Sequence, residues 1–307
     1  MRIDFLVRRL LQALLVLWAV SFLTFGLLHL SGDPAVLMAG ENWTKEEVED
    51  LRHRMGLDRP WYEQYGRYLL RVVQGDFGLS IRQNRPVMDL VAERLPATLQ
   101  LTLTAQIVSI VIAIPVGVLS ATRRNSVIDQ VTMGAAVLAQ ALPIFWLGIM
   151  LILVFSVKLR WTPVAGRGDL LSLVLPVVTL STLYVASNAR LVRSSLLEVL
   201  GHDYIRTARA KGLREWAILY RHALRNSLIP VVTMLGLQFG HLLSGAVVTE
   251  TVFAWPGTGR LIIQAVLARD LPLVQGAVTV VAAFVVFATL LIDLLYGVLD
   301  PRAQVTR

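Results

Sequence analysis

Long apolar runs without charge alternate with polar connections along most of this chain. The first, residues 10–30, is 21 residues long, enough to cross a hydrocarbon core of about 30 Å at roughly 1.5 Å per helical residue. Comparable runs lie at 99–121, 131–157, 170–189, 228–248 and 273–299. Six membrane-spanning helices are therefore predicted. Pro115 and Gly117 are expected kink points in the second run, and Pro143 and Pro176 fall inside the third and fourth. The first run is longer than a secretory apolar core and no small-x-small cleavage site follows it. It reads as a retained helix behind an N-terminus, 1–9, that carries Arg2, Arg8 and Arg9.

Two polar stretches interrupt the pattern. Residues 31–96 hold nine Lys/Arg and eleven Asp/Glu together with Trp43, Trp61, Tyr62, Tyr65 and Tyr68. This mixed composition predicts a folded insertion outside the membrane, about 31–98. Thr44 followed by Glu47 has the spacing of a capping box and starts a short helix there. The second stretch, 190–227, is basic: eight Lys/Arg stand against three acids between Arg190 and Arg225. Residues 203–211 carry no Pro or Gly and predict a helix, Gly212 stops it, and Leu213–Leu224 predicts a second one. A helix, a glycine turn and a helix on a basic membrane face suit the docking of a soluble partner. An ordinary positively charged cytoplasmic loop has the same composition.

Composition places the whole chain in the membrane class: 55% hydrophobic, 16% charged and a mean hydropathy of +0.63 over 307 residues. The absence of cysteine excludes disulfides, thiol catalysis and Cys metal sites. The net charge of +8 does not point to nucleic acid, because the basic residues sit in connections between apolar runs. Their distribution instead orients the chain. Fifteen lie in the proposed inside segments and five in the two short outside loops. Both termini (including the tail 301–307) and 190–227 are then cytoplasmic, while 31–98 and 249–272 are external.

The fifth run has a polar face. Gly236, Gly240 and Ser244 make a small-residue stripe, and Met234, Gln238, His241 and Gly245 fall on roughly the opposite side. Polar groups at membrane depth avoid lipid, so this face predicts either a wall of a translocation path or interhelical hydrogen bonding. His241 has no second ligand at helical spacing, and no metal site is expected. Asp293, inside the last run, is a candidate for the path or for a structural pair. Beyond the fifth run, Pro256, Gly257 and Gly259 forbid a straight helix, and Trp255 suits an interfacial belt.

Specific strings carry a family resemblance. Asp203-Tyr204-Ile205-Arg206-Thr207-Ala208-Arg209-Ala210-Lys211-Gly212 resembles the ATPase-coupling loop of ABC-importer permeases in its peptide/nickel version, with Arg206-Thr207-Ala208 where other permeases have Glu-Ala-Ala and Arg225 where they have Pro. MGLDRPWYEQYGRYL at 55–69, GDFGLS at 75–80 and Gly32-Asp33-Pro34 resemble the first external region of the same permeases. So do the hairpin motif from Thr249 through Glu250, Trp255, Pro256, Gly257 and Gly259 to Arg260, and Arg269-Asp270 and Asp300-Pro301-Arg302.

The resemblance covers essentially the whole chain. It implies an all-α polytopic protein of the type I ABC importer permease fold, with its transmembrane core over 99–300, in a bacterial or archaeal cytoplasmic membrane. It implies pairing with a second, homologous permease and with two ATPase subunits that bind ATP and Mg²⁺, and delivery of cargo by an external substrate-binding protein. No cofactor is expected on this chain. It has no GxxxxGK[ST], GxSxG or HExxH string, so it is not expected to be an enzyme. Dipeptides, oligopeptides, glutathione and nickel chelates are the cargo classes the family implies. A secondary transporter would call for an internal repeat and buried coupling charges, whereas no clear repeat is visible and only Asp293 lies well inside a run. A membrane receptor or scaffold without transport is the other alternative.

Overall fold

The computed structural model describes residues 3–30, 35–36 and 43–299, with side chains over 7–27, 35–36, 43–50, 52–54 and 56–292. Among these residues the secondary structure is helical apart from one isolated bridge, Leu79 to Pro86. The chain forms two compact units, 1–97 with 256–307, and 98–255.

In the first unit, α1 (Ile3–Leu30) packs along α11 (Leu271–Leu299). Between them in sequence come α2 (Lys45–Met55), α3 (Trp61–Val73), the first turns of α4 (Val87–Thr122) and α10 (Thr258–Leu267). The Thr44–Glu47 capping box starts α2, and the Thr44 amide holds the Glu47 carboxyl below its usual range. The amphipathic α3 buries Tyr65 and Tyr68 against Phe25. Their hydroxyls share hydrogen bonds with Ser21 (2.9 Å) and Thr279 (2.8 Å), which joins α3 to α1 and α11. A second cluster sets Val87, Leu90 and Val91 of α4 against Leu261, Ala265, Leu273 and Ala277. Here Gly276 allows close approach: a Cβ would lie 2.7 Å from the Phe77 carbonyl oxygen and 2.8 Å from Val87 Cγ1.

The second unit holds the rest of α4, then α5 (Val127–Ala141), α6 (Ile144–Lys158), α7 (Leu170–Leu200), α8 (Asp203–Ala210) and α9 (Glu215–Val252). α7 packs on α5, α6 and α9. Asn188 and Val192 of α7 reach α4, where a Cβ on Gly117 would lie 2.6 Å from Val192 Cβ. Gly117 therefore serves close packing, and α4 runs on through both Pro115 and Gly117 without a break.

Among the described residues five helices are long and apolar enough to cross a membrane, and six if α5 and α6, apolar helices that meet at a 100° bend, are counted as one span. The third span expected over 131–157, with Pro143 inside it, is two helices that meet at Pro143. Leu142 precedes Pro143 and takes extended backbone (ψ 132°), because the proline ring disfavours helical geometry at the residue before it. Other helices outrun their apolar stretches. α1 already starts at Ile3, so Arg8 and Arg9 lie within it, and α4 starts at Val87, inside the segment expected as external insertion. α7 continues to Leu200, past the expected end at 189. The expected separate helix 213–224 is instead the start of α9, joined to the fifth span through a π-helical stretch, Ile218–Ala223. Pro96 and Pro230 lie close to two of these expected boundaries, yet the helices run through them. Polarity marks where a helix leaves the lipid, not where it stops.

Candidate functional site

The basic stretch folds around α8. Its apolar residues Ile205 and Ala208 are three apart and share one face, which is buried among Val118 and Ala121 of α4, Val192 and Leu196 of α7, and Ile218 and Ala223 of α9. Asp203, Tyr204, Arg206, Arg209, Ala210 and Lys211 point outward. Tyr204 and Ala208, four positions apart, therefore do not make one outward face for a partner. Ala208 faces the protein's own core, and Tyr204 accepts a hydrogen bond from Asn226 Nδ2 (2.9 Å) at the surface. Arg209 pairs with Glu215 (2.8 Å) and Arg206 with Asp203 (3.3 Å). Gly212 adopts φ +73°, with the Leu213 amide reaching back to the Ala208 carbonyl (3.3 Å). A Cβ there would meet nothing within 4 Å, so the backbone angle alone calls for glycine. Beside this helix Trp216 and Tyr220 are exposed with ring centroids 5.5 Å apart, a feature the sequence reading passed over.

The predicted polar face of the fifth span divides. Gln238 is buried and donates from Nε2 to Asn188 Oδ1 (2.9 Å), while Asn188 Nδ2 donates to Ser109 Oγ (2.9 Å). Of the two readings weighed for this face, interhelical hydrogen bonding holds for Gln238, joining α9, α7 and α4. Gly245 lies against Leu180, 3.5 Å from where a Cβ would stand. Met234 and His241 are exposed. The four residues thus do not form one wall. Gln238 Oε1 and both polar atoms of Gln106 are buried without hydrogen-bond partners among the described residues. Asp293 belongs to α11, and its side chain lies outside the described residues. No cluster of three or more His, Cys, Asp or Glu able to hold a metal occurs among the described residues.

In the first turn of α5, Asp129 is buried and receives Arg193 through Nε (2.8 Å) and Nη2 (2.7 Å). It also accepts from Ser120 Oγ and from the Asn125 amide (2.9 Å). This fork ties α4, α5 and α7 together. Neither residue stood out in the sequence, because their partners are 64 positions apart.

In the hairpin motif, Glu250 is buried in the second unit and accepts from Thr98 Oγ1 (2.5 Å). Trp255 is 1% exposed, with the Arg167 guanidinium 5.7 Å above its ring. It therefore packs in the protein rather than in an interfacial belt. In the first unit the motif continues as Pro256, Gly257 at the N-cap of α10, and Gly259 and Arg260 within α10. Gly259 accordingly does not interrupt a helix. Asp270 is buried at the start of α11 and accepts from Ser80 Oγ (2.5 Å) and from the amides of Ile81 (3.3 Å), Arg82 (3.2 Å) and Leu273 (3.3 Å). It fastens the 79–86 turn. Gly32-Asp33-Pro34 and Asp300-Pro301-Arg302 lie outside the described residues.

Comparison with known proteins follows the same lines. Residues 2–102 match the family described as the N-terminal part of the binding-protein-dependent transport system membrane component, and residues 113–305 the one described as binding-protein-dependent transport system inner membrane component. The chain is 42% identical over 335 aligned positions to the dipeptide transport system permease protein DppB of Escherichia coli (strain K12), covering 98% of this chain and 99% of that protein. It is equally 42% identical to the glutathione transport system permease protein GsiC of the same strain over 303 positions, with the same coverage. Its fold resembles a chain of the inward-facing MetNI methionine ABC transporter (TM-score 0.59, 19% identity), which covers 69% of this chain and 97% of that one.

Proposed function

This chain belongs to the family of binding-protein-dependent transport system inner membrane components, and from that premise we propose that it passes small peptides, with α8 as its contact to ATPase subunits. It is a multi-pass permease of a bacterial inner membrane, a transport component of an ABC importer that works with ATPase and substrate-binding partners.

The chain pairs with a second, homologous permease, and each of the two leans on one ATPase subunit. ATP and Mg²⁺ belong to those subunits, since no phosphate-binding loop exists here. Both termini and the 190–227 segment face the cytoplasm. The 31–98 and 249–272 segments face outward and receive the substrate-binding protein. The cargo assignment is supported by equal likeness to permeases named for dipeptides and for glutathione.

The observation that carries the coupling role is the two-sidedness of α8. Ile205 and Ala208 hold it to α4, α7 and α9, while its cationic residues and the Trp216–Tyr220 pair stay exposed. A helix fixed on its apolar side and free on its charged side transmits a push to the spans it packs on. Because Arg206 and Lys211 are surface residues, Arg206→Glu with Lys211→Glu should leave folding nearly unchanged, within about 0.5 kcal/mol. In liposomes holding the assembled transporter, the double variant should lose peptide uptake and the ATPase stimulation caused by loaded binding protein. Wild-type values for both would reject the coupling role. Uptake of a nickel chelate in place of dipeptides or glutathione by the unaltered transporter would reject the cargo.

A further inference from the structure

In the first unit, α1, α3, the α2–α3 turn, residues 76–81 and the first turn of α11 enclose a groove of about 990 Å³. Its chemistry is rich in donors. Arg54, Arg59, Arg67 and Arg71 line it, with Asp76 the one acidic lining residue. Three of the arginines are engaged, Arg59 and Arg67 on Glu63 and Arg54 on Asp50. The Asp76 carboxylate is turned to the Gly78 amide (2.9 Å). Arg71 is exposed and makes no ion pair among the described residues. Gln275 lines the same groove, and its Nε2 is buried without a hydrogen-bond partner there. A guanidinium is therefore left to donate into the groove, and an unmet amide N–H lies in its wall. An unmet buried donor costs about 1–3 kcal/mol, so an acceptor that reaches it is stabilising.

The surroundings select among anions. Phe25 lies near one end of the span α1, and Leu271 and Pro272 begin the span α11, which puts the groove at a membrane surface. Leu70, Leu79 and Ile81 line it and are exposed. Exposed apolar side chains set among arginines suit the zone where acyl chains meet phosphates, and suit bulk water poorly. From this placement we infer that the groove binds an anionic phospholipid. The phosphate oxygens accept from the Arg71 guanidinium and from Gln275 Nε2, and an acyl chain lies on Leu70 and Leu79. Arg71, which makes no ion pair among the described residues, favours an anionic headgroup over a zwitterionic one, whose ammonium would oppose it.

The test uses the full chain in its transporter, purified in detergent, with phosphatidylglycerol, phosphatidylcholine and inorganic phosphate as probes. Retained lipid is read by native mass spectrometry and stabilisation by thermal unfolding. Phosphatidylglycerol should be retained and should raise Tm, and neither other probe should match it. Arg71→Gln, a surface change, should weaken retention about tenfold, the loss of one hydrogen bond to a charged group. Gln275→Leu, which removes only the unmet polar end, should weaken it as well. Arg160→Gln, an exposed arginine of the other unit, should leave retention unchanged and controls for net charge. Equal losses in Arg71→Gln and Arg160→Gln would overturn the site, as would equal retention of phosphatidylcholine. Equal protection by inorganic phosphate would do so too, pointing to a soluble anion. Arg71→Gln that spares lipid retention but cuts stimulation by the binding protein would make the groove a protein-docking surface, and would equally overturn the lipid assignment.

Discussion

The 79–86 turn and α8 are both short segments fastened to long helices, and they are fastened by opposite means. The turn hangs on one buried carboxylate, Asp270, through directional hydrogen bonds. α8 is held by apolar packing of Ile205 and Ala208 and makes its polar contacts at the surface. A hydrogen-bonded clasp is all-or-none, since removing one group leaves several buried donors unmet. A packed face weakens in proportion to the atoms removed and can shift with the helices beneath it. The difference suits the coupling role proposed for α8, which needs a segment able to move with the helices it packs on.

Breaking the clasp should therefore have the largest effect. Asp270→Ala strips the acceptor from Ser80, Ile81, Arg82 and Leu273 at once. A destabilisation of about 4 kcal/mol is expected from the loss of charged hydrogen bonds and the desolvated donors left behind. Thermal unfolding of the purified protein measures it, and protease cleavage within 79–86 should appear first. An unfolding curve like that of the unaltered protein would remove the contrast.

Trimming the packed face should cost less and act gradually. Ile205→Ala should destabilise by about 3 kcal/mol, as expected for a fully buried aliphatic side chain. Ala208→Leu should cost about 1–3 kcal/mol through overpacking. Both are read by chemical denaturation in detergent. If Ala208→Leu kept full stability and lost only ATPase coupling, the helix would present Ala208 outward after all, and the contrast would have to be redrawn.

The smallest effect is expected at the end of α8. Gly212→Ala should cost about 1 kcal/mol for entering φ +73° with a side chain. There is no steric part, because the space around the glycine is open. Gly212→Asn should cost less than Gly212→Ala, since Asn enters the left-handed region more readily. ATPase stimulation measured alongside stability sharpens the point. Equal behaviour of the Ala and Asn variants would show that the backbone angle is not what the joint depends on.

The sequence by itself determined what depends on near neighbours. The apolar runs marked the spans, Thr44 and Glu47 marked the start of α2, and the absence of Gly or Pro over 203–211 followed by Gly212 marked α8 and its left-handed stop. These are local properties of the chain, fixed by helical length, capping chemistry and allowed backbone angles. Only the tertiary structure decided what depends on distant partners. Ala208 turned inward because α4, α7 and α9 converge on it, and Gln238 became a bridge because Asn188, 50 positions away, meets it. Trp255 went into the interior under Arg167, and Asp270 took hold of Ser80 across 190 positions. A helical wheel fixes which side chains share a face. Which neighbour meets that face, and whether it offers a carboxamide, a guanidinium or only lipid, is settled when the helices pack.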